Sequence, residues 1–271
     1  MSHSASRRIA LGVEYQGTAY AGWQAQRAAT VRTVQETLDG VLTGIAAEHI
    51  TTVCAGRTDT GVHAAAQVVH FDTFAQREPR AWTLGVNSRL PADIAIRWAA
   101  EVPNHFHARF SALRRRYRYV ILNRPLRTAL AANSALLVRR QLDVERMHQA
   151  AQVLMGERDF SSFRAAGCQS RTPMRRVEAI AVCRVGDLVV IDITANAFVH
   201  HMVRNISGSL LAVGLGERDS DWLAWLLEAR DRRLAAATAP AHGLYLVAVD
   251  YPEEFSIPLA DTGPWFLEKL L

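Results

Sequence analysis

Runs of period two and runs of helical period follow one another along this chain without regular strand–helix–strand alternation, and that order limits the fold more than any single motif. Strands are predicted at 9–15, 51–55, 66–72, 94–98, 115–122, 177–184, 188–195 and 244–249, where β-rich or alternating apolar residues run together. At 115–122, Tyr117, Tyr119 and Ile121 share one face while Arg116 and Arg118 point to the other. Helices are predicted from 33, at 80–88, from 143, at 198–213 and at 220–229. The first opens on the capping box Thr33-Val34-Gln35-Glu36 and gathers Val34, Leu38, Val41, Leu42 and Ile45 on one face. The third is capped by Asp143, carries Met147, Ala150, Ala151 and Leu154 inward, and stops at Gly156. Gly186-Asp187 separates two strands as a hairpin turn. This mixture predicts an α+β protein with a largely antiparallel sheet. The order divides into a loose tail at 1–8 and two related halves, 9–110 and 111–271, with no low-complexity linker between them.

Hydrophobic residues make up 49% of the 271, which excludes a disordered protein. Lys and Arg total 31 against 26 Asp and Glu, with Arg far in excess of Lys. The arginine fork suits phosphate contacts and stacking on bases, so nucleic acid is a plausible partner. Cys54, Cys168 and Cys183 form neither a CxxC nor a zinc spacing, and an odd count is a poor disulfide framework. No apolar run approaches the ~20 residues of a membrane span. The first eight residues lead into no signal-peptide apolar region, because the charged Glu14 interrupts the short apolar stretch after them. A soluble cytoplasmic protein with reduced thiols is expected.

The segment GRTDTGVHA at 56–64 sets an acid and a base between two glycines, after the apolar Val53-Cys54-Ala55. Asp, Thr and Gly are ordinary turn residues, so a solvated turn is the plain alternative. Asp59-Thr60-Gly61 and Asp261-Thr262-Gly263 imitate the paired triplets of aspartic proteases. Asp261, however, leaves no room for a second lobe, and Arg57 suits an ionised carboxylate better than a shared proton. His105-x-His107 and His200-His201 complete no metal spacing. Gly214-Leu215-Gly216 lacks the third glycine of a dinucleotide loop, and there is no phosphate-binding P-loop. No metal and no cofactor are implied.

Three further stretches accompany GRTDTGVHA: the basic, aromatic run 114–119, Asp159-Phe160-Ser161-Ser162-Phe163, and NAFVHHMVRN at 196–205. Interleaved cations and rings are what a nucleic-acid surface needs. Together with Glu14-Tyr15-Gln16-Gly17, Gly22-Trp23-Gln24-Ala25-Gln26 and the closing TAPAHGLYLVAVDY at 238–251, these stretches resemble the tRNA pseudouridine synthase A family along nearly the whole chain. Two departures are Gln16, where the family often has Asp, and Thr60, where it often has Lys.

The resemblance implies two ferredoxin-like halves forming a curved, mostly antiparallel sheet with a central cleft. It implies an enzyme that isomerises uridine to pseudouridine at positions 38, 39 and 40 of the tRNA anticodon arm, working as a homodimer without a cofactor. It places the nucleophile on Asp59, the stacking tyrosine on Tyr117 and the carboxylate's basic partner on Arg204. Arg57, Arg114, Arg116 and Arg118 are the expected substrate contacts, with Arg57 meeting phosphate or occupying the space of a flipped base. A catalytically silent RNA-binding module on the same fold is the rival, but binding alone needs no buried carboxylate.

Overall fold

The structure, a computed structural model, describes residues 6–26, 31–258 and 263–267. Most of the predicted tail lies outside the described residues, as do Asp261 and Thr262 of the second triplet. The chain forms two compact units, Met1–Leu113 together with Leu246–Leu271, and Arg114–Tyr245. The last stretch therefore groups with the first unit, whereas the sequence division at 110/111 assigns it to the second half.

In the first unit, β1 (Arg7–Tyr15) lies between β3 (His63–Thr73) and β4 (Ile94–Val102), antiparallel to both, and β2 (Val53–Cys54) pairs with β3. Helix α1 (Val34–Ala46) starts where the capping box places it, with the Thr33 hydroxyl accepting from the Glu36 amide at 3.3 Å. Val34, Leu38 and Leu42 are fully buried. The helix predicted at 80–88 takes a π-helical form over Ala81–Gly85. Ala10, Val68, Val102, Phe106 and Phe255 form a core cluster, against which Trp98, Val249 and Tyr251 pack.

In the second unit, β9 (Leu188–Ala195) lies between β5 (Arg114–Asn123) and β8 (Met174–Val185), and β7 (Gly156–Asp159) pairs with β8, all antiparallel. A short strand not foreseen from sequence, β6 (Leu136–Val138), runs parallel to β5. Helix α2 (Val144–Ala151) has Asp143 as its cap and packs on β8 and on α3 (Met202–Gly214). Helix α3 begins later than the predicted 198, because His201 takes a left-handed conformation (φ 61°) just before it. Helix α4 (Trp222–Ala229) comes next, and β10 (Leu244–Asp250) carries the chain out of this unit. The α+β class and the mostly antiparallel pairing stand as expected. No described helix is long and apolar enough to cross a membrane.

Two titratable groups of the first unit, the buried His70 and the half-buried Asp39, oppose one another in pH dependence. Burial pushes Asp39 up to about 6, against two hydrogen bonds from Thr52 that its Oδ1 accepts at 3.0 and 2.6 Å. Burial, with Arg8 and His107 nearby, pushes His70 down to about 4, and its Nδ1 accepts from the Ala108 amide at 3.1 Å. The ordinary values are 3.8 and 6.5. The depressed His70 therefore withdraws stability as pH falls from 6.5 towards 4, while the raised Asp39 restores stability as pH falls from 6 towards 3.8. Asp39→Asn keeps an oxygen for both Thr52 bonds and removes the charge. We expect it to be more stable at pH 7 by about 1–2 kcal/mol, discounted for partial solvent screening, and to lose stability more steeply than wild type below pH 6. Urea midpoints at pH 7 and pH 5 check this, and a less stable variant at pH 7 contradicts it.

Candidate active site

The loop that follows β2 is held from its own unit at nearly every inward position. The buried Gln67 side chain on β3 brackets Gly56, donating to its carbonyl at 2.6 Å and accepting from its amide at 3.3 Å. Thr58 is buried, with its hydroxyl 2.8 Å from the Tyr15 hydroxyl, and its carbonyl accepts from the Trp23 amide at 3.0 Å. The Asp59 carbonyl accepts from the Val62 amide at 3.1 Å, closing a turn whose third residue, Gly61, has φ 78°. That left-handed angle is one glycine adopts without strain. Beyond it, the Nδ1 of buried His63 accepts from the Gly17 amide at 3.0 Å. Thr58, Val62 and His63 thus point inward, Arg57 and Thr60 are exposed or nearly so, and Asp59 stands half-buried between the two sets.

Two glycines of the 17–23 loop make this seating possible. A Cβ on Gly17 would lie 1.9 Å from the Val62 carbonyl oxygen, and one on Gly22 would lie 2.8 Å from that of Thr58. The loop is evident from sequence but its clamping part is not, although two glycines flanking aromatic residues were its signal. Gly17→Ala should lower the melting temperature and cut turnover together, because the clash is with backbone that cannot rotate away. Gly40→Ala on α1, where an added Cβ meets nothing within 4 Å, should instead stabilise by about 0.5–1 kcal/mol. Thermal melts with parallel activity assays check the pair; a Gly17→Ala protein as stable and active as wild type contradicts it.

The second unit supplies the other predicted residues. Tyr117 on β5 is buried, its ring edge-on to Phe198 with centroids 4.9 Å apart. Arg204 lies in the first turn of α3, half-buried, and its Nε donates to the Ala239 carbonyl at 2.8 Å while the Ala239 amide donates back to the Arg204 carbonyl at 3.1 Å. A carboxylate partner must therefore be met by the terminal amino groups of the fork. Burial pushes the neighbouring Tyr119 hydroxyl well above its ordinary range, with the Arg204 charge opposing.

The backbone that grips Arg204 is itself anchored. A Cβ on Gly208 would fall 2.0 Å from the Ala237 carbonyl oxygen, so the segment at 235–239 lies directly on α3. The fully buried Asn205 donates to the Phe163 carbonyl at 2.7 Å, and its oxygen accepts from Arg232 at 3.0 Å and from Thr238 at 2.7 Å. The DFSSF stretch and the NAFVHHMVRN stretch are thereby joined. The sequence offers little signal for Asn205, Arg232 and Thr238 beyond an amide among the small and apolar residues of α3.

The arginines of β5 divide. Arg114 is exposed, in a surface ion pair with Glu178 at 3.3 Å. Arg116 meets Asp192 through Nε at 2.7 Å and a terminal nitrogen at 2.6 Å, and Arg118 meets the same carboxylate through Nε at 2.9 Å. Arg118 is only 1% exposed. It is thus an interior charge with an interior partner, not the surface cation expected from the alternation. Arg57 is exposed beside Asp59. Asp59 belongs to the first unit, and Tyr117 and Arg204 to the second.

A family model described as tRNA pseudouridine synthase matches residues 12–111 and 150–252. The chain is 58% identical over 260 residues to the tRNA pseudouridine synthase A of Vibrio parahaemolyticus serotype O3:K6, an alignment that covers 96% of this chain and 98% of that protein. It is 60% identical over 264 residues to the tRNA pseudouridine synthase A of Salmonella typhimurium, covering 97% of each.

Proposed function

The chain belongs to the tRNA pseudouridine synthase family, whose members are isomerases, and from that premise we propose that it converts uridine to pseudouridine at positions 38, 39 and 40 in the anticodon stem-loop of tRNA. The observation that carries this proposal is the seating of Asp59, a half-buried carboxylate in a loop whose inward residues are pinned on both sides of it. A solvated turn has no use for that scaffold. A group that must meet one carbon atom does.

In the proposed reaction the C1′–N1 bond of uridine breaks, the uracil turns, and a C1′–C5 bond forms. The C5 proton leaves and N1 gains one, so no atom is lost and no cofactor is consumed. Positive charge builds at C1′ as the first bond breaks, and the Asp59 carboxylate attacks or stabilises that carbon as in retaining glycosidases. Tyr117 stacks on the extruded base. Arg204 pairs with Asp59 through its terminal nitrogens and holds it ionised, since a carboxylate withdrawn from water without such a partner takes up a proton. The exposed Arg114 contacts phosphate, and the exposed Arg57 either contacts phosphate or fills the space the base leaves. The working form is a homodimer in the cytoplasm.

Carbodiimide labelling with primer extension locates pseudouridine in a tRNA transcript. New stops at positions 38, 39 or 40 after incubation with the protein are expected. Stops only elsewhere contradict the assignment of the anticodon arm.

A further inference from the structure

Residues 105–113 of the first unit contain two phenylalanines with opposite fates. Phe106 is fully buried, packed edge-on against Phe255 and close to Tyr251. Phe110 is 76% exposed. Its exposure does not come from a loose loop. The His107 amide donates to the Ser111 hydroxyl at 3.0 Å and the Ser111 amide to the His107 carbonyl at 2.9 Å. His107 Nδ1 accepts from the amides of both Arg109 and Phe110 at 3.2 Å. Ala108 between them is tied to His70 through its amide and to the Tyr251 hydroxyl through its carbonyl. The backbone thus presents one aromatic ring to solvent in a fixed direction.

The surroundings of that ring indicate what covers it. His70, His107 and Phe110 form a row of rings, with centroids 4.8 and then 4.3 Å apart, that runs outward from β3 and ends at Phe110. The Arg109 guanidinium lies 5.5 Å from the Phe110 ring centre. His70 pairs with Val53 of β2 and accepts from the Ala108 amide, which sets this stretch beside the strand that leads into the Asp59 loop. No carboxylate side chain occurs in residues 105–113. A rigid ring and an adjacent cation suit the flat face of a base and the phosphate next to it.

We propose that Phe110 is a stacking platform for an unpaired base of the RNA substrate, extending the row His70–His107–Phe110 by one ring. The proposal rests on tRNA being the substrate and adds a contact beside the reacting uridine. An unpaired base is required, because only a base outside a duplex stack offers an open face. The platform contributes affinity rather than chemistry, and its loss acts on substrate binding while the reacting groups remain.

Equilibrium tRNA binding and single-turnover isomerisation by wild type, Phe110→Leu and Phe110→Trp test this. Leucine keeps apolar bulk without a π face and should weaken Kd roughly 10-fold, with an unchanged melting temperature and an unchanged rate at saturating enzyme. Tryptophan should restore the affinity and show fluorescence quenching on binding beyond that of wild type. Wild-type affinity in Phe110→Leu overturns the proposal. So does altered sedimentation of Phe110→Leu in the absence of tRNA, which would make this face a contact between copies of the chain. If wild type neither binds nor isomerises tRNA, the proposed function falls as well; if wild type does both and Phe110→Leu matches it, only the stacking contact falls.

Discussion

Asp59→Asn is expected to fold as wild type does, to bind tRNA, and to lose turnover by at least ~10³-fold. The substitution is isosteric. The scaffold around residue 59 acts through the Asp59 carbonyl, through Thr58 and through His63, none of which the change touches. What disappears is the negative charge, which in the proposed mechanism either forms a bond to C1′ or stabilises the cation there. An amide does neither at a comparable rate. Intact melting behaviour and intact tRNA affinity separate loss of chemistry from loss of fold.

Arg204→Lys should also fold and should lose turnover by about 10²-fold or more. In the structure Nε is already engaged with the Ala239 carbonyl, so arginine can hold the 235–239 backbone and a carboxylate at once. Lysine has one nitrogen for both tasks. In the proposed mechanism, a lysine that serves Ala239 leaves Asp59 without its partner, and one that serves Asp59 gives up the bond to Ala239 and the orientation with it. The measurement is single-turnover isomerisation at saturating enzyme, with tRNA affinity determined alongside. Full activity in Arg204→Lys would reduce the role of Arg204 to a point charge.

Much of the fold was legible because local chemistry and tertiary packing agree. Thr33 and Asp143 cap the helices they were expected to cap, and Met147, Ala150, Ala151 and Leu154 are all buried. Among the features that were not legible, three show the physical reason. Strand β6 is three residues long, too short for alternation to register, and exists through its pairing with β5. The start of α3 depends on a left-handed histidine, a conformation that tertiary structure imposes on a residue with no local preference strong enough to announce it. Arg118 was expected to be exposed because alternation separates two faces of a strand without saying that both are covered. Its counterpart was visible as a lone carboxylate, Asp192, in the otherwise apolar run of β9, and only the register Arg118↔Asp192 joins the two.

The candidate site was legible to different depths. Asp59 stood out because an acid between glycines after an apolar strand is a local pattern. The clamp that Gly17, Gly22, Tyr15 and Gln67 make around it is a matter of atoms approaching across a fold, which spacing along the chain does not encode. The same holds for Asn205 and Arg232 behind Arg204.

Release of tritium from tRNA carrying C5-tritiated uridine tests the central claim most directly, because the label leaves only when C5 forms its bond to C1′. The wild-type chain should release tritium into water in step with pseudouridine formation, and Asp59→Asn should release none above background while still binding the tRNA. Release by Asp59→Asn within tenfold of the wild-type rate would contradict the assignment of Asp59 as the group that acts on the sugar.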